Sequence, residues 1–339
     1  MSLRAGLLGV GMMGRHHARV LREIEGVDLV AIADPAGDTH GVAGSLPILP
    51  SLKDLIAVGV DMAIVAVPTR FHEEAALELA DADVHAFVEK PIAERVDGGV
   101  RMAEAFAKAG LVGAVGHIER FNPAIQELRR RLTEGALGAV YQIQTRRQGP
   151  FPARIADVGV AKDLASHDID LTSWAAQSPY ASVFAQTTYK SGRDHEDMIA
   201  VTGRLANGVI VNHLVNWLSP MKERVTIVTG ERGAFVADTS TGDLTHYANG
   251  TIPLEWESIS SFRGVSEGDV TRFAIPKREP LRVELEAFRD AVLGRPSDVV
   301  TMEQGVATLA VVEAALESSR SGEFVSLPDL GTADSGARP

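Results

Sequence analysis

Gly9-Val10-Gly11-Met12-Met13-Gly14 follows an apolar run from Leu3 to Gly9 and opens a stretch, Met13 to Glu23, with helical spacing. A β-branched run from Val27 to Ala33 then ends at Asp34, 20 residues beyond Gly14. Strand, glycine turn, helix, strand and terminal acid, in that order, are what a dinucleotide site requires. Gly9 permits the tight turn, Gly11 lets backbone approach a pyrophosphate, and Gly14 lets the helix pack closely on the strand. The start of that helix, with Met12 and Met13, faces the phosphates. Asp34 would bind ribose hydroxyls and repel a 2′-phosphate, and Pro35-Ala36-Gly37-Asp38 offers no cation to offset it. The reading is therefore NAD rather than NADP. A glycine turn in an unrelated α/β protein is the bland alternative.

Outward from this stretch the alternation continues. Ser51 and Asp54 read as a capping box for a helix over Leu52 to Val58. Met62 to Val67 is a buried-strand run stopped by Pro68, and Thr69 is placed to cap a helix through Ala80. Val84 to Val88 is a strand leading into Glu89-Lys90-Pro91, followed by a helix from Val96 to Ala109 and a strand from Leu111 to Val115. Strands apolar on both faces and separated by helices predict a parallel, doubly wound sheet over residues 1–118.

The pattern changes after Ile118. A helix opens at Pro123, where the missing proline N–H costs nothing. Strands follow at Val140 to Arg147, Ser182 to Lys190, Met198 to Leu205, Val209 to Leu218 and Arg224 to Val228. Asn207-Gly208 is a hairpin signal. Helices are expected at Ala161 to Ala176, Arg282 to Leu293 and Met302 to Ser318. The expectation for 119–330 is an α+β substrate-binding and oligomerisation domain with a large, mostly antiparallel sheet, and for 331–339 a flexible tail. Along Val209 to Leu218, Val209, Val211, Val215 and Trp217 alternate with Ile210, Leu214 and Leu218. Helices would cover one face, leaving the open face to a second subunit in a homodimer or homotetramer.

Composition limits the partners. The chain has 339 residues, 45% apolar and 23% charged, and a net charge of −12. That balance argues against nucleic acid or an anionic membrane surface. With no cysteine, disulfides, thiolate metal sites and cysteine nucleophiles are all excluded, which fits the cytoplasm. No run of about 18 apolar residues predicts a membrane span.

Lys90 stands at the carboxyl end of a parallel strand, where open α/β sheets bind their ligands. A lysine there can exchange a proton with a substrate hydroxyl if desolvation or neighbouring charge lowers its pKa. A surface lysine is the other reading. Asp163 and His167 are spaced i,i+4 on one predicted helix face, with Asp170 following. Such a pair can orient an imidazole beside a substrate; a salt-bridged helix face is the alternative, and a metal site made with Asp170 is disfavoured for want of further ligands. His72 stands either near the cofactor or in packing. Arg120, Asn122 and Arg146-Arg147 flank the change of domain, where they could bind hydroxyls or a diphosphate or form interdomain salt bridges.

These residues together resemble the glucose–fructose oxidoreductase, inositol dehydrogenase and rhizopine catabolism family. The likeness rests on Gly9–Gly14, Asp34, Val67-Pro68-Thr69 with His72, Glu89-Lys90-Pro91 and Asp163-x-x-x-His167, and spans nearly the whole chain. It implies a Rossmann domain joined to an open-faced sheet domain, with Lys90 and His167 in proton transfer and Asp163 beside them. It adds Pro68, Thr69, His72, Glu89 and Lys90 to the cofactor's surroundings, and Arg120, Asn122, Asp163 and His167 to the substrate's. Gly116-His117-Ile118-Glu119-Arg120-Phe121-Asn122-Pro123 further resembles the branch that oxidises UDP-N-acetylglucosamine-type sugars at carbon 3. Expected is an NAD-dependent dehydrogenase of a ring hydroxyl in a sugar, sugar nucleotide or polyol. The alternatives are a dinucleotide-holding regulator without turnover and an NADPH-dependent reductase of keto-sugars or imines.

Overall fold

The computed structural model describes residues 2–38, 40–152, 158–250 and 266–328. The expected tail at 331–339 lies outside them. The chain forms two compact units, Met1–Phe121 with Arg278–Ala310, and Asn122–Lys277 with Val311–Pro339.

In the first unit, β1 Leu3–Leu8, β2 Val27–Ala33, β3 Ile48–Leu49, β4 Met62–Val65, β5 His85–Glu89 and β6 Gly113–Gly116 make one parallel sheet. Their order is β3-β2-β1-β4-β5-β6, so the direction of winding reverses between β1 and β4. That reversal opens a crevice at the strand carboxyl ends. Helices α1 Met12–Glu23, α2 Leu52–Ala57, α3 His72–Asp81 and α4 Val96–Ala109 connect the strands. Every residue of β4 is buried, as a central strand covered on both faces must be. Ser51 caps α2 through Asp54 N–H, as read from the sequence. Thr69 does not cap α3: a tight 3₁₀ turn, Thr69–Phe71, intervenes without a side-chain cap, and α3 starts at His72. Gly98 and Gly99 weaken α4 as an isolated helix. A Cβ on Gly98 would lie 2.5 Å from Glu73 Oε2, and one on Gly99 2.9 Å from a Val306 methyl. Close packing explains Gly99, whereas the Glu73 carboxylate beside Gly98 is the end of a flexible side chain.

The second unit carries β7 Val140–Pro150, β8 Tyr180–Thr188, β9 Met198–Leu205, β10 Ile210–Asn216, β11 Leu218–Gly230, β12 Gly233–Asp238, β13 Asp243–Gly250, β14 Ser266–Arg272 and β15 Val325–Ser326. They form a nine-stranded sheet in the order β14-β13-β12-β11-β7-β10-β9-β8-β15. Only β7 and β10 pair in parallel; the other neighbours are antiparallel. Asn207-Gly208 turns β9 into β10, with Gly208 at φ 89° and the Asn207 side chain accepting from Val209 N–H. The run predicted from Val209 to Leu218 divides, because Leu218 begins β11.

Helices α5 Pro123–Thr133 and α6 Ser166–Ala176 cover one face of this sheet, burying Ile125, Leu128 and Ile169 against Ile143, Val211, Val215 and Val228. On the other face Ile210 and Leu214 remain 44% and 38% exposed. The predicted alternation along β10 is thus what the burial pattern displays.

The return of the chain departs from the linear division read from the sequence. Helix α7 Pro280–Val292 and the first turns of α8 Met302–Ser321 belong to the first unit, not to the one that precedes them. Leu281, Leu285 and Phe288 join a core with Phe87 and Ile64, Phe288 and Phe87 lying 5.7 Å apart between ring centroids. Each such buried side chain contributes about 1.5–3 kcal/mol. An amphipathic helix does not announce which sheet it will cover.

Candidate active site

The glycine loop forms one wall of the crevice in the first unit. Gly9 adopts φ 92°, and a Cβ there would lie 2.7 Å from Ala66 O. Gly14 has no room either, since its Cβ would meet Gly9 O at 2.0 Å. Gly11 differs: nothing lies within 4 Å of the position its Cβ would take. That empty place, on an exposed glycine at the N-cap of α1, is where ligand backbone contact fits. No side chain caps α1 and no acid occupies its first turn, so neither competes for an anion. Met12 stands 41% exposed beside it.

Asp34 closes the adjoining corner. Its Oδ2 accepts from Val10 N–H at 2.9 Å and its Oδ1 from Ala36 N–H at 2.9 Å. The carboxylate is held at the end of β2, with lone pairs left for sugar hydroxyls. Asp38 accepts from Val42 and Ala43 N–H, which fixes the loop that follows. The donor set and the open place at Gly11 fit a dinucleotide without a 2′-phosphate.

Across the reversal, β5 ends at the buried Glu89, with half-buried Lys90 next and a cis bond to Pro91. Glu89 Oε1 lies 2.7 Å from His17 Nε2, and Oε2 accepts from Lys90 N–H at 3.2 Å. Burial pushes the Glu89 carboxyl up, but the His17 hydrogen bond and neighbouring positive charge, that of Lys90 included, hold it below its ordinary value. His72 is buried, with Nδ1 3.0 Å from Pro91 O and Nε2 2.9 Å from Val67 O. Burial pushes its pKa down, against the pull of those carbonyls. The imidazole therefore ties the loop after β4, with exposed Pro68 and half-buried Thr69, to the loop carrying Lys90. It orders the crevice from behind.

In the second unit, the predicted helix over Ala161 to Ala176 begins with one wider π turn, Ala161–Ala165, before α6. Single π turns occur often at functional sites. Asp163 lies in that turn and His167 in the first turn of α6; both are buried, with 7% and 9% exposure. Glu196 grips the start of the turn: its carboxylate accepts from Ala161 N–H and its carbonyl from Val160 N–H, each at 3.0 Å. Arg147 Nε lies 3.0 Å from Asp168 Oδ1 in a buried ion pair. Beneath, His213 lies 2.8 Å from both Thr145 Oγ1 and Tyr180 Oη. Burial lowers the His213 pKa to about 3 and raises that of Tyr180 well above its ordinary value.

The structure sorts the other predicted residues. Arg120 is buried and donates to Gln304 Oε1 at 2.8 Å, inside the first unit. Asn122 caps α5, accepting from Ala124 N–H at 3.0 Å and donating to Thr239 O at 2.9 Å. Arg146 and Arg147 part company by strand alternation. Arg147 turns toward α6, whereas Arg146 is exposed and pairs with Glu223 at 3.1 Å. Glu196, Arg147–Asp168 and His17–Glu89 were not read from the sequence as site-building pairs. Among the described residues no three His, Asp or Glu side chains form a metal-binding group, and no helix is long and apolar enough to cross a membrane.

A parallel sheet with this strand order, an uncapped glycine turn and an acid-held ribose corner define a dinucleotide-binding oxidoreductase domain. Family models agree: residues 3–117 match "Oxidoreductase family, NAD-binding Rossmann fold" and residues 125–236 match "GFO/IDH/MocA C-terminal domain". The UDP-N-acetylglucosamine 3-dehydrogenase of Acidithiobacillus ferrooxidans is 31% identical over 325 residues, spanning 93% of this chain and 96% of that one. The NAD(+) scyllo-inositol 2-dehydrogenase of Bacillus subtilis is 26% identical, with 96% of each chain covered. Among solved structures, GenD2 from gentamicin A biosynthesis, in complex with NAD, superposes with a TM-score of 0.80 at 26% identity, covering 96% of each chain. The chain belongs to the GFO/IDH/MocA oxidoreductase family. It is a dehydrogenase by class, and its first unit is an NAD-binding domain.

Proposed function

We propose that this dehydrogenase moves hydride between NAD and a ring hydroxyl carbon of a sugar, and that a nucleotide-linked N-acetylated hexose is the first substrate to try. Bound NAD supplies the hydride acceptor at its nicotinamide ring. Gly9, Gly11, Gly14 and Asp34 hold the pyrophosphate and ribose, with Met12, Met13, Pro68 and Thr69 along the crevice. The Lys90 amine takes the proton from the substrate hydroxyl as hydride leaves its carbon. His167 shares that proton, and Asp163 orients the imidazole. Arg120 is kept as a substrate-binding candidate, whereas the Asn122 side chain serves as a helix cap. The working assembly is a homodimer or homotetramer through the open face of the second sheet, in the cytoplasm.

The observation that carries the reading is a half-buried lysine at the carboxyl end of β5, beside an NAD crevice, in a chain similar over its length to sugar and polyol dehydrogenases. Its test is a screen of reduced-nicotinamide formation with UDP-N-acetylglucosamine, inositols and free aldoses, on wild type and Lys90→Ala. Turnover should be highest with the nucleotide sugar and should fall by about 10²–10⁴-fold in the variant, as for loss of a proton-transfer group. NADH binding should be unchanged. Wild-type turnover in Lys90→Ala defeats the assignment of the base, and an inositol as the best substrate defeats the choice of sugar.

A further inference from the structure

His17 is a buried titratable group that the proposed chemistry leaves unused. It lies in α1, three residues past the last glycine of the loop, and its ring is fully enclosed, edge-on to Phe87 at 5.6 Å. Glu89 Oε1 is 2.7 Å from its Nε2. A carboxylate can only accept, so Nε2 carries the proton. Nδ1 is buried with no hydrogen-bond partner among the described residues. The ring is a fixed N–H donor to Glu89.

Glu89 is enclosed yet borders Lys90 directly. The titratable groups acting on it are His17 from α1, His72 from α3 and Lys90 on its own strand end. His72 is engaged with two carbonyls, so His17 and the Lys90 N–H are the donors that hold the carboxylate. A buried carboxylate with too few donors takes up a proton. An ionised one favours the charged form of an ammonium next to it.

We propose that His17 is a positioning residue that acts through Glu89: by keeping that carboxylate ionised beside Lys90, it sets the pH at which the Lys90 amine can accept the substrate proton. This rests on Lys90 being the proton acceptor. Without the donor the carboxyl neutralises, the ammonium loses its anionic neighbour, and the amine forms at lower pH. Keeping the amine basic also lets it return a proton when the reaction runs toward the alcohol.

The test is the pH profile of kcat for sugar oxidation with four variants of the full chain. In His17→Leu the acidic limb should move to lower pH by about 1 unit, the scale of a lost neighbouring opposite charge. Glu89→Gln should move it the same way. His17→Gln, which restores an N–H donor, should return it toward the wild-type position. Limbs that coincide with wild type in both His17→Leu and Glu89→Gln overturn the proposal, as does a shift in Glu89→Gln alone. If His17→Leu does not fold, the displaced limb of Glu89→Gln with a wild-type limb in His17→Gln supports it, and an unmoved limb in Glu89→Gln overturns it. Lys90→Ala separates the two levels. Full activity there removes the proton-acceptor reading and this inference with it, whereas an inactive Lys90→Ala with unmoved limbs elsewhere removes only the role of His17.

Discussion

Arg147 Nε lies 3.0 Å from Asp168 Oδ1, both side chains nearly sealed from solvent, and Asp168 adjoins His167 in α6. The pair pins the first turn of that helix to β7. Charge buried in this way is tolerable only while both partners remain. Replacing Arg147 by Met should lower unfolding free energy by about 3–5 kcal/mol, because the enclosed Asp168 carboxylate loses its Arg147 partner. Urea titration measures it, and a loss below about 1 kcal/mol would contradict the role given to the pair.

The three loop glycines should respond differently to one added methyl. Gly14→Ala forces a carbon to within 2.0 Å of Gly9 O, so the backbone must move. It should destabilise by about 1–3 kcal/mol and weaken NAD binding as well. Gly11→Ala meets nothing within 4 Å. Its folding stability should change by no more than about 1 kcal/mol, the difference between glycine and alanine at a helix cap. Its NAD affinity should nevertheless fall at least tenfold. Thermal unfolding with and without NAD separates these effects; an unchanged affinity in Gly11→Ala would mean that the ligand approaches elsewhere.

Acid should weaken the second unit through His213. Its pKa is about 3 in the fold, against an ordinary value of 6.5. Between those limits the unfolded chain binds the proton and the folded chain does not, so stability rises with pH across the window and is lost on acidification. The slope from this one group is about 1.4 kcal/mol per pH unit well below 6.5. In His213→Gln the stability curve between pH 6 and about 4 should be flatter by close to one proton. An identical slope in both proteins would show that the imidazole is not enclosed as described.

The open sheet face offers a direct check on assembly. Ile210 and Leu214 protrude from β10 on the side away from α5 and α6. A charge there should be tolerated by a monomer and should disrupt a partner surface. Leu214→Arg is expected to lower the sedimentation mass without lowering the unfolding midpoint of the monomer. A wild-type protein that already sediments as a monomer at working concentration rules out the assembly.

Much of the first unit was legible because its signals are local. A strand, a glycine turn and an acid 20 residues on are all read within one short stretch, and Lys90 declares itself by directly following a buried strand. The short outer strands were harder. β14 reads Ser266-Glu267-Gly268-Asp269-Val270-Thr271-Arg272, mostly exposed and without an apolar alternation to detect. Contacts distant in sequence were not legible at all. His17 meets Glu89 across 72 positions and Glu196 meets Ala161 across 35, and nothing near either histidine or glutamate indicates the partner. The π turn under Asp163 was hidden for another reason, since its residues have ordinary helical composition and only the external grip of Glu196 marks where it begins.

The return of Arg278–Ala310 to the first unit has a bearing on how the polypeptide matures as it leaves the ribosome. Leu281, Leu285 and Phe288 complete a core begun by strands made some 200 residues earlier. The nucleotide-binding half must wait, incompletely sealed, while the intervening half is synthesised, and loop closure over that span is slow relative to local folding. A nascent chain arrested before Arg278 should therefore be protease-sensitive around Phe87, and extension past Ala310 should bring protection. Order of synthesis and order of completion are reversed in this protein: the half that begins first is finished late.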